Sequence, residues 1–188
     1  SGFMEIFVCD KAEFERKLTV LKERGASSLH VVSDFDKTLT IAHSADGKIV
    51  SSYSRLRNCK LVPSEYFEES MKLKDIYYPH EIDPKLPMPK KIELMQEWWE
   101  TAWNNKVKFG LNMEMMKAVS LDPTLKMRDG IALFFRSLWE KDVPFLIFSS
   151  GIGNVIDLKL KQVGLLTKNV HLIANFLEFD ESGVAVDH

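Results

Sequence analysis

The sequence has little cysteine and no long run of apolar residues. Its two cysteines, Cys9 and Cys59, lie far apart and have no partners at the spacing of a metal site, which favours reduced thiols in a cytoplasmic protein. No apolar stretch is long enough to span a bilayer, and the amino terminus lacks the basic and apolar segments of a secretory signal. We therefore expect a cytoplasmic protein without a membrane partner.

The sequence also lacks a large excess of charge of either sign. It contains 25 lysines and arginines and 27 aspartates and glutamates, for a formal net charge of −2. Such a balance gives no electrostatic footprint for a nucleic acid polymer, and we expect no such partner. The 188 residues, 45% hydrophobic and 28% charged, are typical of a globular chain with room for a core and a small inserted domain.

The most informative stretch, residues 29–40, reads LHVVSDFDKTLT. Its apolar first half, bounded by polar residues, predicts a buried parallel strand. Asp34 and Asp36 come at the carboxyl end of that strand, where open α/β sheets bind their ligands. A D-x-D pair alone is also compatible with a helix-capping Asp34 and a solvated Asp36, but the whole pattern is far more specific.

The pattern D-F-D-K-T-L-T resembles the first motif of the haloacid dehalogenase-like phosphotransferase superfamily, D-x-D-x-T at the tip of a central strand. The resemblance implies that Asp34 takes up the phosphoryl group as an aspartyl phosphate and that Thr38 helps to bind it. Asp36 would be the general acid for the leaving oxygen and then the base for water. Two carboxylates that face a phosphate repel it and each other, so we expect Mg²⁺ at Asp34 and Asp36.

A second apolar run, residues 145–148, ends in the sequence SSGIGN. A hydroxyl at a strand tip, followed by glycines that open a helix, can form a phosphate cradle because backbone N–H groups approach the anion there. Such a turn alone often serves only to reverse the chain. Paired with the first motif, it matches the superfamily's second motif, in which Ser149 binds the transferring phosphoryl group. We predict that Ser150 and Gly151 bind phosphate as well.

Between the two motifs helical periodicity dominates, and prolines at positions 79, 84, 87 and 89 predict breaks in the chain. We predict an α/β fold with a Rossmann-like, doubly wound parallel-sheet core at residues 1–42 and 121–188 and a mainly helical cap at residues 43–120. The individual predictions are helices at 10–24, 63–77, 92–102, 112–116 and 129–140, a hairpin or loop at 43–60, a strand at 170–174 and a hairpin at 176–186.

Several segments together resemble the cytosolic pyrimidine 5'-nucleotidase family, often called class III. These segments are DFDKTLT at 34–40, NCKLVP at 58–63, YYPHEIDP at 77–84, MQEWW at 95–99, FLIFSSGIGNVI at 145–156 and NFLEFDESGV at 175–184. The resemblance implies a doubly wound core, a helical cap between the first two motifs, and Mg²⁺-dependent removal of the 5'-phosphate from nucleoside monophosphates. Some family members also act on 7-methylguanosine monophosphate.

In this family an acidic residue of the cap contacts the base, and Glu81 holds the matching position. A surface or helix-capping carboxylate is the alternative interpretation of Glu81. Three other positions, Ala42, Tyr53 and Ala102, depart from the aromatic, polar or imidazole side chains that the family places around the base. The resemblance therefore leaves the base open, with pyrimidines and 7-methylguanosine as candidates.

The family's sequences continue beyond the position of His188 with a lysine that steadies the aspartyl phosphate and a G-D-S-x-x-D segment that completes the metal site. None of Lys159, Lys161 and Lys168 stands where that lysine belongs, and the first two are predicted on the wet face of a helix. We therefore expect an incomplete core whose last strands are missing. We also expect weak or no turnover by the chain as it stands.

Three functions stay open on the sequence. The first is a nucleoside 5'-monophosphate phosphohydrolase, monomeric in its full-length form. The second is a phosphatase for a non-nucleotide ester on the same scaffold. The third is a catalytically dead fragment that binds phosphate or a nucleotide loosely, or that pairs with another chain.

Overall fold

The computed structural model describes residues 7–188. Its centre is a parallel sheet of three strands, β1 (Val31–Ser33), β2 (Phe145–Ile152) and β3 (Val170–Asn175), in the order β1–β2–β3. Ser33 pairs with Ile147, and Ile147 pairs with Leu172. The three strands therefore point the same way, and the predicted α/β fold with a parallel sheet is confirmed.

Helices make up most of the remaining described chain. They are α1 (Lys11–Arg24), α2 (Ser52–Arg57), α3 (Ser64–Ile82), α4 (Met88–Lys108), α5 (Met113–Ser120), α6 (Ile131–Glu140) and α7 (Gly153–Gln162). A short 3-10 turn follows α1 at Ala26–Ser28, and the antiparallel strands β4 (Glu178–Phe179) and β5 (Ala185–Asp187) form the predicted hairpin. Within residues 7–188, every helix is too short or too polar to cross a membrane.

The two faces of the sheet differ in burial. On one face, α6 and α7 pack against the strands in a buried cluster that includes Phe135, Phe145, Ile147, Ile156 and Leu160. On the opposite face, the side chains of Val32, Phe148 and Ile173 are each more than half exposed, at 58%, 61% and 53%. Successive side chains of a strand point to opposite faces, so each strand contributes to both the core and the open face.

A second buried cluster joins the helical segment to the rest of the fold. Trp103, Leu111 and Met116 of this segment pack with Ile152 of β2 and with Leu177 before β4. The hydrophobic contacts thus cross the predicted boundary between a cap at residues 43–120 and a core at 1–42 and 121–188. The division into these two domains stays a prediction.

The prolines predict a break at residue 79, and this prediction is wrong. Helix α3 continues through Pro79 and ends at Ile82. A proline inside a helix removes one backbone hydrogen bond, but α3 also makes contacts with α4. In particular, Nζ of Lys91 donates hydrogen bonds to the carbonyl oxygens of Glu81 and Asp83, at 2.9 and 2.8 Å.

The hairpin or loop predicted at residues 43–60 is only partly confirmed. A backbone bridge does join His43 to Ile49, but α2 follows directly. Its start is fixed by a capping box, in which Ser51 Oγ accepts from the Ser54 N–H at 3.1 Å and Ser54 Oγ accepts from the Ser51 N–H at 2.8 Å. The serine spacing that forms such a box is visible in the sequence.

Lys159 does not lie on the wet face of its helix, contrary to the prediction. Its side chain is buried, and Nζ donates a hydrogen bond to the carbonyl oxygen of Ser120 at the end of α5, at 3.1 Å. Lys161 is exposed as predicted and is paired with Asp157 at 2.7 Å. The difference arises because α5 packs against the face of α7 that carries Lys159.

Candidate active site

Adjacent parallel strands bring the two motifs to one edge of the sheet. Ser33 and Ile147 are the last paired residues of β1 and β2, so Asp34 follows the end of β1 and Ser149 lies slightly further along β2. Neighbouring strands are about 5 Å apart. The strand-end acids and the predicted phosphate turn are therefore neighbours in the fold.

Asp36 is held by Ser52, a residue that the sequence analysis did not identify. The Ser52 N–H donates to Oδ1 of Asp36 at 2.9 Å, and the Ser52 hydroxyl donates to Oδ2 at 2.6 Å. The same hydroxyl oxygen accepts from the Ile152 N–H at 3.2 Å. Ser52, which is fully buried, thus ties the first motif to the second motif.

Burial raises the pKa of the Asp36 carboxyl group above its ordinary value of 3.8. The two hydrogen bonds from Ser52 stabilise the charged form and offset part of this effect, while the charge of Asp34 adds to the rise. Each carboxylate oxygen keeps a second lone pair. Asp36 is therefore able to hold a proton more readily than an exposed aspartate and to pass it on.

The loop between Asp34 and Thr40 is closed by hydrogen bonds to its own backbone and by Arg128. Lys37 has a positive φ of 65°, which the turn requires, and its N–H donates to the side-chain oxygen of Thr40 at 2.9 Å. The Arg128 guanidinium donates to the carbonyl oxygens of Thr38 and Lys37, at 2.9 and 2.6 Å. Arg128 comes from a distant part of the chain, and no local sequence signal pointed to it.

Asp34 is exposed, and the hydroxyl of Thr38 donates a hydrogen bond to its Oδ2 at 3.3 Å. It takes part in no salt bridge with the residues that the structure describes. Asp34 lines neither of the two main cavities described below. The carboxylate is thus free to meet a ligand, at an open edge of the sheet.

Ser149 and Gly151, which the second motif places in a turn after the strand, lie instead in the last part of β2, where its pairing with β3 shifts between Phe148 and Ile152. The Ser149 hydroxyl is buried and accepts a hydrogen bond from the Gly151 N–H at 3.1 Å. Gly151 leaves no room for a side chain, because a Cβ there would lie 2.9 Å from Oδ2 of Asp36 and 2.9 Å from Oγ of Ser52. Ser150 is exposed, and its carbonyl oxygen accepts from the Tyr53 hydroxyl at 3.1 Å.

The first cavity, of about 530 Å³, lies among α2, α3 and α4. Glu81 lines it together with Tyr53 and Ala102, so the structure brings together the positions that the family resemblance assigns to the base. Lys37 of the first motif also lines this cavity. The cavity therefore begins beside the loop that carries the two aspartates.

The second cavity, of about 990 Å³, contains the predicted phosphate-binding hydroxyls. Ser149 and Ser150 line it, with Trp103 of α4 and Asn175 of β3. Trp99 lines both cavities and makes an edge-to-face contact with Tyr53, at 6.0 Å between ring centroids. The second cavity, with the predicted phosphate-binding residues, therefore adjoins the first cavity, with the predicted base-binding residues, at Trp99.

The described residues offer a metal ion only part of a ligand set. Within residues 7–188 there is no group of three or more histidine, cysteine, aspartate or glutamate side chains placed to hold a metal. The Asp36 carboxylate faces Ser52, which leaves Asp34 as the free carboxylate. Mg²⁺ commonly binds through one or two carboxylates together with water and a substrate phosphate, and Asp34 fits one of these positions.

The parallel sheet and the helices that flank it define an α/β fold that other solved proteins share. A solved had family hydrolase from Salmonella enterica subsp. enterica serovar Typhi shares this fold at a TM-score of 0.52 and 13% identity, over 94% of this chain and 54% of its own. The family model of pyrimidine 5'-nucleotidase (UMPH-1) matches residues 37–187. The chain belongs to the pyrimidine 5'-nucleotidase (UMPH-1) family, which confirms the resemblance drawn from the motifs.

Related proteins are similar along nearly the whole chain. A crystal structure of cytosolic 5'-nucleotidase IIIB bound to cytidine is 31% identical, with a TM-score of 0.82, over 97% of this chain and 60% of that one. The 7-methylguanosine phosphate-specific 5'-nucleotidase B of Xenopus laevis is 32% identical over 93% of this chain and 60% of its own length. The human 7-methylguanosine phosphate-specific 5'-nucleotidase is 32% identical over 87% and 54%. The chain thus spans less than two thirds of these relatives.

Proposed function

We propose that the protein hydrolyses the 5'-phosphate of nucleoside monophosphates through an aspartyl phosphate on Asp34. The observation that carries this proposal is the juxtaposition of an exposed Asp34, an Asp36 that is hydrogen-bonded to Ser52, and the Ser149–Gly151 segment at one sheet edge. The names of the relatives, which are 5'-nucleotidases, support the same reaction. The name of one of them, cytosolic 5'-nucleotidase IIIB, includes "cytosolic", which supports the expected cytoplasmic location.

In the first half of the proposed reaction, a carboxylate oxygen of Asp34 attacks phosphorus and the bond from phosphorus to the nucleoside 5'-oxygen breaks. The leaving oxygen takes the proton of Asp36. In the second half, water attacks the phosphorus of the aspartyl phosphate and gives a proton to Asp36. The bond between phosphorus and Asp34 breaks, inorganic phosphate leaves, and both carboxyl groups return to their starting states.

The neighbouring residues would orient this chemistry. The Thr38 hydroxyl, which bonds to Asp34, fixes the direction of the attacking carboxylate. The hydroxyl oxygen of Ser149 accepts a hydrogen bond from the Gly151 N–H. Its hydroxyl hydrogen is therefore available to donate a hydrogen bond to a phosphoryl oxygen. We propose Ser150 and Gly151 as further phosphate-binding residues, through the backbone of this segment.

We propose Mg²⁺ as the cofactor, with Asp34 as a ligand and with Asp36 beside it. Bound there, the ion would neutralise charge on the phosphate and on the attacking carboxylate. We assign Asp36 the transfer of a proton during the reaction. Both of its carboxylate oxygens already accept hydrogen bonds from Ser52, so Asp34 is the better placed of the two to bind the ion.

The base would occupy the first cavity. Tyr53, Trp98 and Trp99 supply aromatic surface there, and Glu81 supplies a carboxylate that can accept hydrogen bonds from a base. These aromatic side chains and the Glu81 carboxylate are, among the described lining residues, the groups suited to bind a pyrimidine. We propose a pyrimidine as the preferred base, with 7-methylguanine as the second candidate.

The test is phosphate release by the full-length form from cytidine and uridine 5'-monophosphates, with Mg²⁺ and with a chelator. Asp34→Asn should abolish release because the amide cannot attack phosphorus. The matched control is Asp142→Asn, since Asp142 is exposed in the turn before β2, at the opposite end of the sheet. Wild-type release by the Asp34→Asn variant, or release that ignores the chelator, would contradict the proposal.

A further inference from the structure

The wall of the first cavity carries far more positive than negative charge. Six of its described lining residues are cationic: Lys37, Lys48, Arg55, Arg57, Lys74 and Lys106. Among the same described residues, Glu81 is the single carboxylate. The chain as a whole has a net charge of −2, so this concentration of cations is a property of the cavity.

Lys106 is the most deeply placed of these cations. Its side chain is 1% exposed, and Nζ donates one hydrogen bond, to the carbonyl oxygen of Ala102 at 3.0 Å. The ammonium group lies 4.0 Å from the ring centroid of Trp103 and 5.3 Å from that of Tyr53. Lys106 forms no salt bridge with any residue in the described part of the chain.

Arg57 adds a second, half-buried cation to the same wall. Burial lowers the pKa of its guanidinium, and the positive charge of Arg57 in turn lowers the pKa of Lys106. Within residues 7–188 Arg57, like Lys106, has no carboxylate partner in a salt bridge.

The remaining cations are more exposed or already satisfied. Lys48 is paired with Asp46 at 2.7 Å, and the Arg55 guanidinium donates to the side chain of Thr124 at 3.1 Å. The uncompensated charge is therefore concentrated at Lys106 and Arg57. Two like charges, one buried and one half-buried, are costly without an anion, and an anionic ligand group beside both would remove much of that cost.

We propose that this cavity binds a second anionic group of the substrate, a phosphate on the ribose or a carboxylate on the base, through Lys106 and Arg57. This inference rests on the proposed function, because the 5'-phosphate is assigned to Asp34 and the Ser149–Gly151 segment. The substrate class is then a nucleoside 5'-monophosphate with a further negative charge. A cationic 7-methylguanine base would be disfavoured in the same cavity.

The experiment measures binding, by titration calorimetry at pH 6, of nucleosides that lack a 5'-phosphate. The probes are uridine, orotidine (whose base carries a carboxylate), uridine 3'-monophosphate and 7-methylguanosine. Orotidine or uridine 3'-monophosphate should bind about tenfold or more tightly than uridine, the gain expected from charge-assisted hydrogen bonds. The arm that binds identifies the position of the second charge.

Lys106→Met and Arg57→Met should each remove this advantage and leave uridine binding within about twofold. The control is Lys108→Met, on the exposed side of the same helix. Circular dichroism and thermal unfolding establish whether each variant is folded. Because two independent variants are used, the test can still be read if one of them does not fold. Any of four results would overturn the proposal. Uridine and both anionic probes could bind equally, or 7-methylguanosine could bind more tightly than the anionic probes. No probe could bind at all, or the tighter binding of the anionic probes could survive in both variants.

Because none of the probes can be hydrolysed at a 5'-phosphate, this result is independent of the nucleotidase test. A failure of the charge proposal would leave the reaction at Asp34 untouched. A failure of phosphate release would likewise leave the calorimetric comparison intact, and the cavity would then be an anion site without the proposed chemistry.

Discussion

Replacing Lys106 by methionine tests directly how much the buried cation costs the fold. Burial lowers the pKa of Lys106 from 10.5 to about 7. The unfolded chain has the ordinary value, so the charged form is disfavoured in the folded state only. Each pKa unit corresponds to about 1.4 kcal/mol, and the whole difference is on the order of 5 kcal/mol.

The sign of the pH dependence follows from proton counting. Below about pH 7, Lys106 is charged in both states, so folding bears the full cost of burial. Between about pH 7 and 10.5 the unfolded chain binds a proton that the folded chain does not, and the free energy of unfolding rises with pH. Lys106→Met should therefore stabilise the protein by about 2 to 4 kcal/mol at pH 6 and by about 1 kcal/mol or less at pH 10.

The assay is urea unfolding of the wild type and of Lys106→Met at both pH values. Only the difference between the two proteins is interpreted, because other groups also titrate over this range. Lys108→Met controls for the loss of an exposed lysine from the same helix. A difference that does not change with pH, or a Lys106→Met variant that is less stable at pH 6, would refute the reasoning.

Two further predictions concern the contacts that join the motifs. Ser52→Ala should lower the free energy of unfolding by about 1 to 3 kcal/mol, because it leaves the buried Ile152 N–H unpaired. It should also raise the pKa of Asp36 further, because a hydrogen bond to the charged form is lost. The limb of the pH–rate profile that Asp36 controls should then move to higher pH. If this limb does not move, Asp36 is not the group that controls it. Gly151→Ala should destabilise the protein by about 1 to 3 kcal/mol in thermal unfolding and reduce phosphate release, because its Cβ meets Asp36 and Ser52. Wild-type stability and release in this variant would contradict the close packing at Gly151.

Local patterns were enough to predict most of the elements and the chemistry-bearing residues. Asp34 and Asp36 follow an apolar run, and Ser149 follows another, so both could be placed at strand ends without knowledge of packing. Helix boundaries were less predictable. Pro79 lies inside α3, and Lys91 of another helix binds the carbonyl oxygens of Glu81 and Asp83 at the end of α3, a contact that local sequence does not show.

The sequence by itself determined the α/β class, the family and the two motifs, because these depend on residues close together in the chain. Only the tertiary structure decided that Ser52 holds Asp36, that Arg128 closes the aspartate loop, and that Lys159 is buried. It also decided that Lys106 and Arg57 share one wall of a cavity. These contacts join helices and strands that are distant in sequence, and their formation depends on how α2, α3 and α4 pack around the sheet edge.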